Sequence, residues 1–302
     1  MSGSPDSTLV MLGLVGTGKT NFLVALDVVL DDQADQDGLH HSELAADRAY
    51  LQPLRENWLR GEELKHTSRQ PPPPPHQLLV RHPASGTRTG FYLPDLAGET
   101  FDAQFETRSF PLSFSERIQQ AGGVLLFVHC GHNADHAILE DPGFKEPESV
   151  SPAASSPLGS SVAEPDWRLE DAARQVKLVD LLQFIAEISP RQKPLNIAVV
   201  LSAWELVEKV PQLGARTAAS IPKDPTQFFS IQWPLLDQFL RGNIDMFRTR
   251  VFGVSARGGD NTPEEIARLT KFDRPSDRII VVDGAHRSND LTRPVRWLLG
   301  LL

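Results

Sequence analysis

Hydrophobic residues along the chain fall into short apolar runs, separated by longer segments that are apolar with a helical period. The runs predict six strands, at residues 8–12, 77–81, 91–94, 124–128, 197–201 and 250–254. The periodic segments predict helices at 19–31, 43–60, 113–121, 168–188, 231–241, 263–270 and 293–301. Two of the runs, Val124–Val128 and Ile197–Leu201, are apolar at every position, which is typical of strands buried on both faces. This order predicts an α/β protein built on a doubly wound, mostly parallel sheet of six strands.

Two segments interrupt this alternation. Residues 68–76 contain the run Pro71–Pro75, which cannot donate to a β-ladder and predicts a stiff, extended connector. Residues 137–167 are rich in Ser, Pro, Glu and Ala and have too few apolar side chains to offset the entropy of ordering. We therefore expect a disordered surface insertion there, either a neutral spacer, which the composition favours, or a docking segment. The whole chain, residues 1–302, is predicted to form a single domain that contains these two segments.

The composition is that of a soluble globular protein, with 40% hydrophobic and 23% charged residues. The net charge of −9 disfavours nonspecific binding to nucleic acid or to anionic membranes. A single cysteine, Cys130, excludes an internal disulfide framework and is typical of a reducing compartment. No apolar run reaches the ~20 residues of a membrane span, and Met1–Ser7 does not fit a signal peptide. These observations predict a cytoplasmic protein without a membrane span and without a nucleic-acid partner.

The strongest chemical signal is the segment Gly13–Thr20, which lies between the first strand and the first helix and reads Gly-Leu-Val-Gly-Thr-Gly-Lys-Thr. This is a Walker A phosphate loop: its glycines let backbone N–H groups turn toward an anion, and the helix N-terminus adds its positive dipole end. In such a loop Lys19 reaches the β- and γ-phosphates as a catalytic group, and Thr20 offers its hydroxyl to Mg²⁺. The residues predicted to contact the nucleotide here are Gly13, Gly16, Thr17, Gly18, Lys19, Thr20 and Asn21.

A second signal, Asp95-Leu-Ala-Gly98-Glu99, follows the strand predicted at 91–94. A carboxylate at the end of a strand beside the phosphate loop can hold Mg²⁺, so Asp95 is a predicted metal ligand. Gly98 can bring its backbone N–H close to the γ-phosphate, and Glu99 can orient or deprotonate the attacking water. Asp followed by Gly is also common in plain turns, and Glu99 could equally be a turn residue held in a salt bridge.

A candidate switch threonine, Thr67, lies between the second predicted helix and the proline run. A threonine at this place in the chain can close over Mg²⁺ and the γ-phosphate, so Thr67 is predicted to act in catalysis and as a metal ligand. Thr87 and Thr89, in the turn before residue 91, are alternatives. Thr67 could also be an ordinary polar loop residue.

Two loops that follow later strands predict contacts with the base of the nucleotide. After strand 197–201 the chain reads Ser-Ala-Trp204-Glu205, and the Glu205 carboxylate can accept both N1–H and N2–H₂ of guanine, a donor pair that adenine lacks. Trp204 either stacks on the base or packs against the sheet edge. After strand 250–254, the backbone of Ser255 and Ala256 can bond the base carbonyl.

In this order, over residues 9–259, these five elements resemble the motif series of the translation-factor-like P-loop GTPases. Further features are similar to the bacterial double-GTPase family; they are Trp58-Leu-Arg-Gly61, Asp-Leu-Ala-Gly-Glu, Leu-Ser-Ala-Trp-Glu and the terminal Arg-Pro-Val-Arg-Trp-Leu-Leu. The resemblance implies a three-layer α/β/α fold of small-GTPase type and an Mg²⁺-dependent GTP-hydrolysing switch. It also implies a protein partner from the same bacterial conflict or signalling system.

The chain departs from the GTPase pattern at two positions. The base motif lacks the Asn-Lys pair and ends in Glu205, which leaves the choice between GTP and ATP open. Glu99 stands where a glutamine is expected, which leaves the positioning of water open. Two alternatives to a GTPase switch therefore remain: a P-loop ATPase that ignores the base, and a nucleotide-gated scaffold with little hydrolysis.

Two other groups of residues were weighed as sites. The cluster His129-Cys130-Gly-His132, with Asp135 and His136, contains zinc-ligand residue types, but its spacing matches no closed four-ligand pattern. Arg108 could serve as an internal arginine finger, although an exposed surface charge is the favoured interpretation.

Overall fold

The computed structural model describes residues 5–32, 38–42, 48–62, 64, 78–93, 105–131, 172–188, 193–209 and 223–302. The predicted connector at 68–76 and the predicted insertion at 137–167 lie outside these residues. So do four predicted site residues, namely Thr67, Asp95, Gly98 and Glu99.

The strands of the described residues form one sheet of nine, in the order β2-β3-β4-β1-β5-β6-β7-β8-β9. Their bounds are β1 Ser7–Leu12, β2 His40–His41, β3 Leu78–Arg81, β4 Arg88–Tyr92, β5 Ala121–His129, β6 Leu195–Ser202, β7 Phe247–Ser255, β8 Ile280–Asp283 and β9 His286–Ser288. The five central strands, β4, β1, β5, β6 and β7, are parallel, and the four outer strands pair antiparallel. The predicted α/β class is confirmed, whereas the predicted six-stranded, mostly parallel sheet is corrected to a mixed sheet of nine.

The three strands absent from the prediction are the shortest or most polar ones. The pair His40–His41 forms β2 and bonds to β3, although two histidines carry no strand pattern. Strand β8 carries a strand pattern of its own, the β-branched run Ile279–Val282, although it was not predicted, and the polar strand His286–Ser288 follows it. Hydrophobic periodicity cannot detect β2 and β9 because their pairing partners, and not their own patterns, stabilise them.

The helices begin and end close to the predicted positions. They are α1 Lys19–Asp32, α2 Arg48–Leu59, α3 Leu112–Gln120, α4 Arg174–Ile188, α5 Pro225–Gln232, α6 Pro234–Gly242, α7 Pro263–Leu269 and α8 Arg293–Leu298. The single helix predicted at 231–241 is in fact parts of α5 and α6, which meet at Trp233 because Pro234 cannot continue the α5 hydrogen bonds. Short 3₁₀ turns cover Trp204–Lys209 and Pro275–Arg278.

The helices cover the two faces of the sheet and bury two hydrophobic clusters. On one face, α1, α2 and α8 pack on the sheet through side chains such as Leu23, Trp58 and Val295. On the other face, α3 to α6 pack through side chains such as Ile118 and Leu182. None of the described helices combines the length and apolarity needed to cross a bilayer.

Helix α2 is held against α1 by an ion-pair cluster as well as by apolar contacts. Asp27 of α1 is 2% exposed, and its Oδ2 lies 2.8 Å from Nη1 of Arg55 on α2. The same guanidinium lies 2.6 Å from Oδ2 of Asp31, and His41 of β2 lies 3.1 Å from Oδ1 of Asp31. Because a buried charge is costly without a partner, this cluster fixes the position of α2 on α1.

Candidate nucleotide-binding site

The loop from Gly13 to Gly18 connects β1 to α1 at the carboxyl edge of the parallel strands. Its glycines Gly13, Gly16 and Gly18 have φ angles of +145°, +71° and +81°, which other residues rarely adopt. A Cβ on Gly13 would lie 2.6 Å from the carbonyl oxygen of Phe127 in β5. A Cβ on Gly18 would lie 3.4 Å from Ser202 at the end of β6. The loop therefore packs closely on the ends of β5 and β6, with the backbone geometry that a phosphate-binding loop needs.

Lys19 folds back over this loop. Its Nζ donates to the carbonyl oxygens of Gly13, at 2.6 Å, and Leu14, at 2.9 Å. Thr17 supports the same turn, since its hydroxyl donates to the Leu14 carbonyl at 2.7 Å. Burial lowers the pKa of Lys19 to about 8, because taking the ammonium out of water disfavours its charged form. A nearby anion would offset the desolvation cost of the Lys19 ammonium. The loop is therefore suited to a negatively charged ligand.

Thr20 and Asn21 form the first turn of α1, where backbone N–H groups have no partner within the helix. Both residues are half-buried beside the loop. The Oδ1 atom of Asn21 is buried without a hydrogen-bond partner among the described residues. The structure thus brings together all seven residues predicted from the Walker A motif, and their contact with a nucleotide stays a prediction.

Glu205 lies at the same edge, in the 3₁₀ turn that follows β6. Its carboxyl accepts a hydrogen bond from Ser255 at the end of β7, and its Oε2 atom is buried with no hydrogen-bond partner in the described part of the chain. Burial raises the pKa of this carboxyl above its ordinary value, and the charge of Arg257 acts in the opposite direction. A buried carboxylate oxygen without a partner is costly, so this position is suited to a ligand that donates hydrogen bonds.

A cavity of about 550 Å³ opens beside Glu205. Gly258, Gly259 and Asp260 of the loop after β7 line it, together with Arg278 from the second 3₁₀ turn. Its volume is within the range of small-ligand pockets. Ser255 is fully buried behind it and fixes the loop by accepting a hydrogen bond from the Gly258 N–H at 3.0 Å.

The indole of Trp204 faces the core. It is 6% exposed, a Cβ on Gly253 of β7 would lie 2.5 Å from it, and the Phe228 ring meets it edge-on with centroids 5.5 Å apart. This placement agrees with packing against the sheet, one of the two alternatives for Trp204, and leaves little ring surface for a base. Ala256 follows Ser255 at the edge of the site and is half-buried.

The structure describes Thr87 and Thr89, the two alternatives to Thr67 as the switch threonine. Thr89 is buried within β4, paired with Ser7 and Val80, and Thr87 precedes β4. Both lie at the amino end of β4, opposite the edge at which β1 enters the phosphate loop. This placement favours Thr67 over Thr87 and Thr89, and the role of the switch threonine stays a prediction. The carboxyl end of β4, which leads to Asp95, lies beside the end of β1 because these two strands are parallel neighbours.

The two further groups weighed from the sequence lie elsewhere in the fold. The guanidinium of Arg108 is largely exposed and lies 3.0 Å from Asp180 of α4, as expected of a surface charge. Cys130 is fully buried, which raises its pKa, and burial lowers the pKa of His129. Within the residues that the structure describes, no three His, Cys, Asp or Glu side chains converge as a metal-binding group.

Two arginines beside Glu205 are absent from the predicted site residues. Arg257 follows directly after Ser255-Ala256, and its Nη2 donates to the carbonyl oxygen of Gly61 just beyond α2. Arg278 is 3% exposed, its guanidinium lies 3.8 Å from the centroid of the Trp58 ring, and its Nη2 donates to the Trp58 carbonyl. Arg257 could have been predicted as a site residue, because it directly follows the predicted base loop Ser255-Ala256. No local sequence pattern predicts a role for Arg278.

A family model described as Double-GTPase 1 matches the chain over residues 10–298. This match spans the phosphate loop, both base loops and the terminal helix α8. No curated protein matches the chain.

Proposed function

Because the chain belongs to the Double-GTPase 1 family, we propose that it binds Mg²⁺·GTP at the Gly13–Thr20 loop and hydrolyses it as a molecular switch. The observation that carries this proposal is the phosphate loop itself. Its three left-handed glycines present the backbone to a ligand, and Lys19 is held at its centre with a pKa lowered by burial. The triphosphate would replace two carbonyl oxygens as the partner of Lys19 and restore its full charge.

The metal would be held at the amino end of α1. The Thr20 hydroxyl in the first turn of α1 is an oxygen ligand of the kind that Mg²⁺ prefers. Asp95 would add a carboxylate from beyond β4, and Thr67 a second hydroxyl. Bound there, Mg²⁺ supplies neutralisation of phosphate charge. Gly98 and Glu99 follow Asp95, so their backbone and side chain would reach the γ-phosphate and the attacking water.

The base would lie against Glu205. Guanine offers two adjacent N–H donors, which suit a buried carboxylate whose Oε2 has no partner in the described residues. The backbone of Ser255 and Ala256 would bond the base carbonyl. Burial raises the pKa of Glu205, which shifts this group toward the protonated carboxyl. A protonated carboxyl would accept one N–H fewer from guanine than a carboxylate would. An ATPase that ignores the base is therefore the second candidate.

The partner is proposed to be a protein of the same bacterial conflict or signalling system, and the switch to act in the cytoplasm. Hydrolysis would release the segments that carry Thr67 and Gly98 and so change the surface offered to that partner. A scaffold that binds nucleotide without appreciable hydrolysis is distinguished by its rate alone.

Titration of the purified protein with fluorescent GTP and ATP in Mg²⁺ tests the site and its base preference. We expect Lys19→Ala to weaken GTP binding at least tenfold, while Lys193→Ala, an exposed lysine at the opposite sheet edge, changes it less than twofold. Glu205→Gln should weaken GTP binding more than ATP binding. Equal binding of both nucleotides by the wild type would reverse the base assignment in favour of the ATPase.

Single-turnover phosphate release tests hydrolysis separately from binding. Glu99→Ala should slow release at least tenfold, with Glu106→Ala as a matched control on an exposed residue. Identical, negligible rates for the wild type and Glu99→Ala would refute Glu99 as the base and favour the scaffold.

A further inference from the structure

The end of helix α2 is capped by residues that come from the base side of the site. The last carbonyls of a helix lack partners within it and carry the negative end of its dipole. In α2, which has no basic residue in its last turn, Arg278 donates to the Trp58 carbonyl and Arg257 donates to the Gly61 carbonyl. Arg278 is thus a second donor to the Trp58 carbonyl, beside the Gly61 N–H, and Arg257 holds the backbone two residues beyond the helix. Both arginines lie about 200 residues later in the chain.

The contacts around these two hydrogen bonds are close. The Arg278 guanidinium stacks over the Trp58 ring at 3.8 Å, and both residues are buried. Gly61 has a φ of +71°, and a Cβ placed on it would lie 3.5 Å from Ile266 of α7. Thus the loop after β7, the second 3₁₀ turn and α7 lie against Trp58 or Gly61, so a movement of these elements would shift the end of α2.

The same elements form the predicted base site. Arg257 lies two residues after Ser255, which bonds Glu205, and its charge acts on the Glu205 carboxyl. Arg278 lines the cavity beside Glu205, and its carbonyl oxygen packs so closely on Gly258 that a Cβ there would clash with it. A ligand that binds Glu205 would therefore contact the loop after β7. Arg257 of that loop donates to the Gly61 carbonyl just beyond α2.

We propose that Arg257 and Arg278 are positioning residues that couple occupation of the base site to the end of α2. This inference rests on the proposed nucleotide site. It is distinct from base recognition by Glu205, because it assigns the two arginines to transmission of the binding event and not to the binding contact itself.

Hydrogen–deuterium exchange of the full chain tests the coupling. Mg²⁺·tripolyphosphate occupies a phosphate loop without a base, so it serves as the base-free probe beside Mg²⁺·GTP. The reporter is a peptide covering residues 54–62, whose amides of Gly61 and Glu62 bond to the carbonyls of Trp58 and Asn57. With both ligands at saturation, we expect GTP to slow its exchange at least threefold more than tripolyphosphate does.

Substitution of Arg257 then tests the route. Arg257→Ala should abolish the difference between GTP and tripolyphosphate at residues 54–62, with the tripolyphosphate affinity within threefold of the wild type. The matched control is Arg248→Ala, an exposed arginine near the amino end of β7, which should retain the difference. If Arg257→Ala does not fold, Arg257→Lys, which keeps the charge and loses the planar fork, takes its place with the same expectation.

The outcomes separate the two proposals. Equal slowing by both ligands in the wild type, or an undiminished GTP effect in the Arg257 variant, overturns the coupling while the nucleotide site stands. A wild type that binds neither ligand refutes the proposed function as well.

Discussion

Lys19 is expected to make triphosphate binding weaken as the pH rises from 7 to 9. Its pKa is lowered to about 8 by burial, with the amine bonded to the carbonyls of Gly13 and Leu14. A triphosphate favours the charged ammonium, so the pKa of Lys19 must rise when the ligand binds. Affinity is then full below the free-protein pKa and is lost as the pH rises through it.

The size of this effect follows from the pKa. At a pKa of about 8, about nine-tenths of Lys19 molecules carry the proton at pH 7 and about one-tenth at pH 9. If only the charged form binds, the apparent affinity falls about tenfold between these values, and binding at pH 8 takes up about half a proton. Burial lowers the pKa of His129 and raises the pKa of Cys130, so both shifts lead away from the pH range of this titration.

The assay is isothermal titration calorimetry with Mg²⁺·tripolyphosphate, which avoids the deprotonation of guanine in alkaline solution. Titrations in two buffers with different ionisation enthalpies give the proton uptake directly. Tripolyphosphate also ionises in this pH range, so Lys19→Arg, which keeps its charge from pH 7 to 9, serves as the control that measures the contribution of the ligand. A wild-type pH profile and proton uptake at pH 8 identical to those of Lys19→Arg would refute the role assigned to Lys19.

Two further substitutions test the loop and the packing of α2 by chemical denaturation. Gly13→Ala places a Cβ 2.6 Å from the Phe127 carbonyl oxygen, at a φ of +145°, so it should lower the free energy of unfolding by at least about 2 kcal/mol. Gly242→Ala is the control, because nothing lies within 4 Å of its Cβ position, and it should change the free energy of unfolding by less than about 1 kcal/mol. Asp27→Asn removes one charge of a buried ion pair and should cost about 3 kcal/mol. Asp237→Asn, in a helical pair whose Arg241 partner is exposed, should cost less than about 1 kcal/mol. Equal losses within either pair of variants would contradict the corresponding packing argument.

The parallel centre of the sheet and the phosphate loop were predictable because their signals are local. An apolar strand, a glycine-rich loop with Lys19, and an amphipathic helix follow one another within residues 8–31. The centres of β5 and β6 are apolar at every position, and the structure places the ends of both strands within three residues of the predicted ends.

The remaining features depend on contacts between distant parts of the chain. Strand β2 exists because β3 bonds to it, and Arg278 is identified as part of the site only by its contacts with Trp58, 220 residues earlier. The environment of Trp204 is of the same kind, since Gly253 and Phe228 decide where the indole lies. A single sequence contains no spacing rule for such pairs, so they emerge only from the folded structure.

The two borders of the sheet are short in the part of the chain that the structure describes. One border is β2, with two residues, and the other is β9, with three, and both run against their neighbours. Such short edge strands offer few unpaired backbone N–H and C=O groups to a strand of another molecule. They therefore disfavour the edge-to-edge strand pairing that leads to fibrils. Any association of this protein with itself or with other chains through its described surface would thus favour helices and loops over sheet extension.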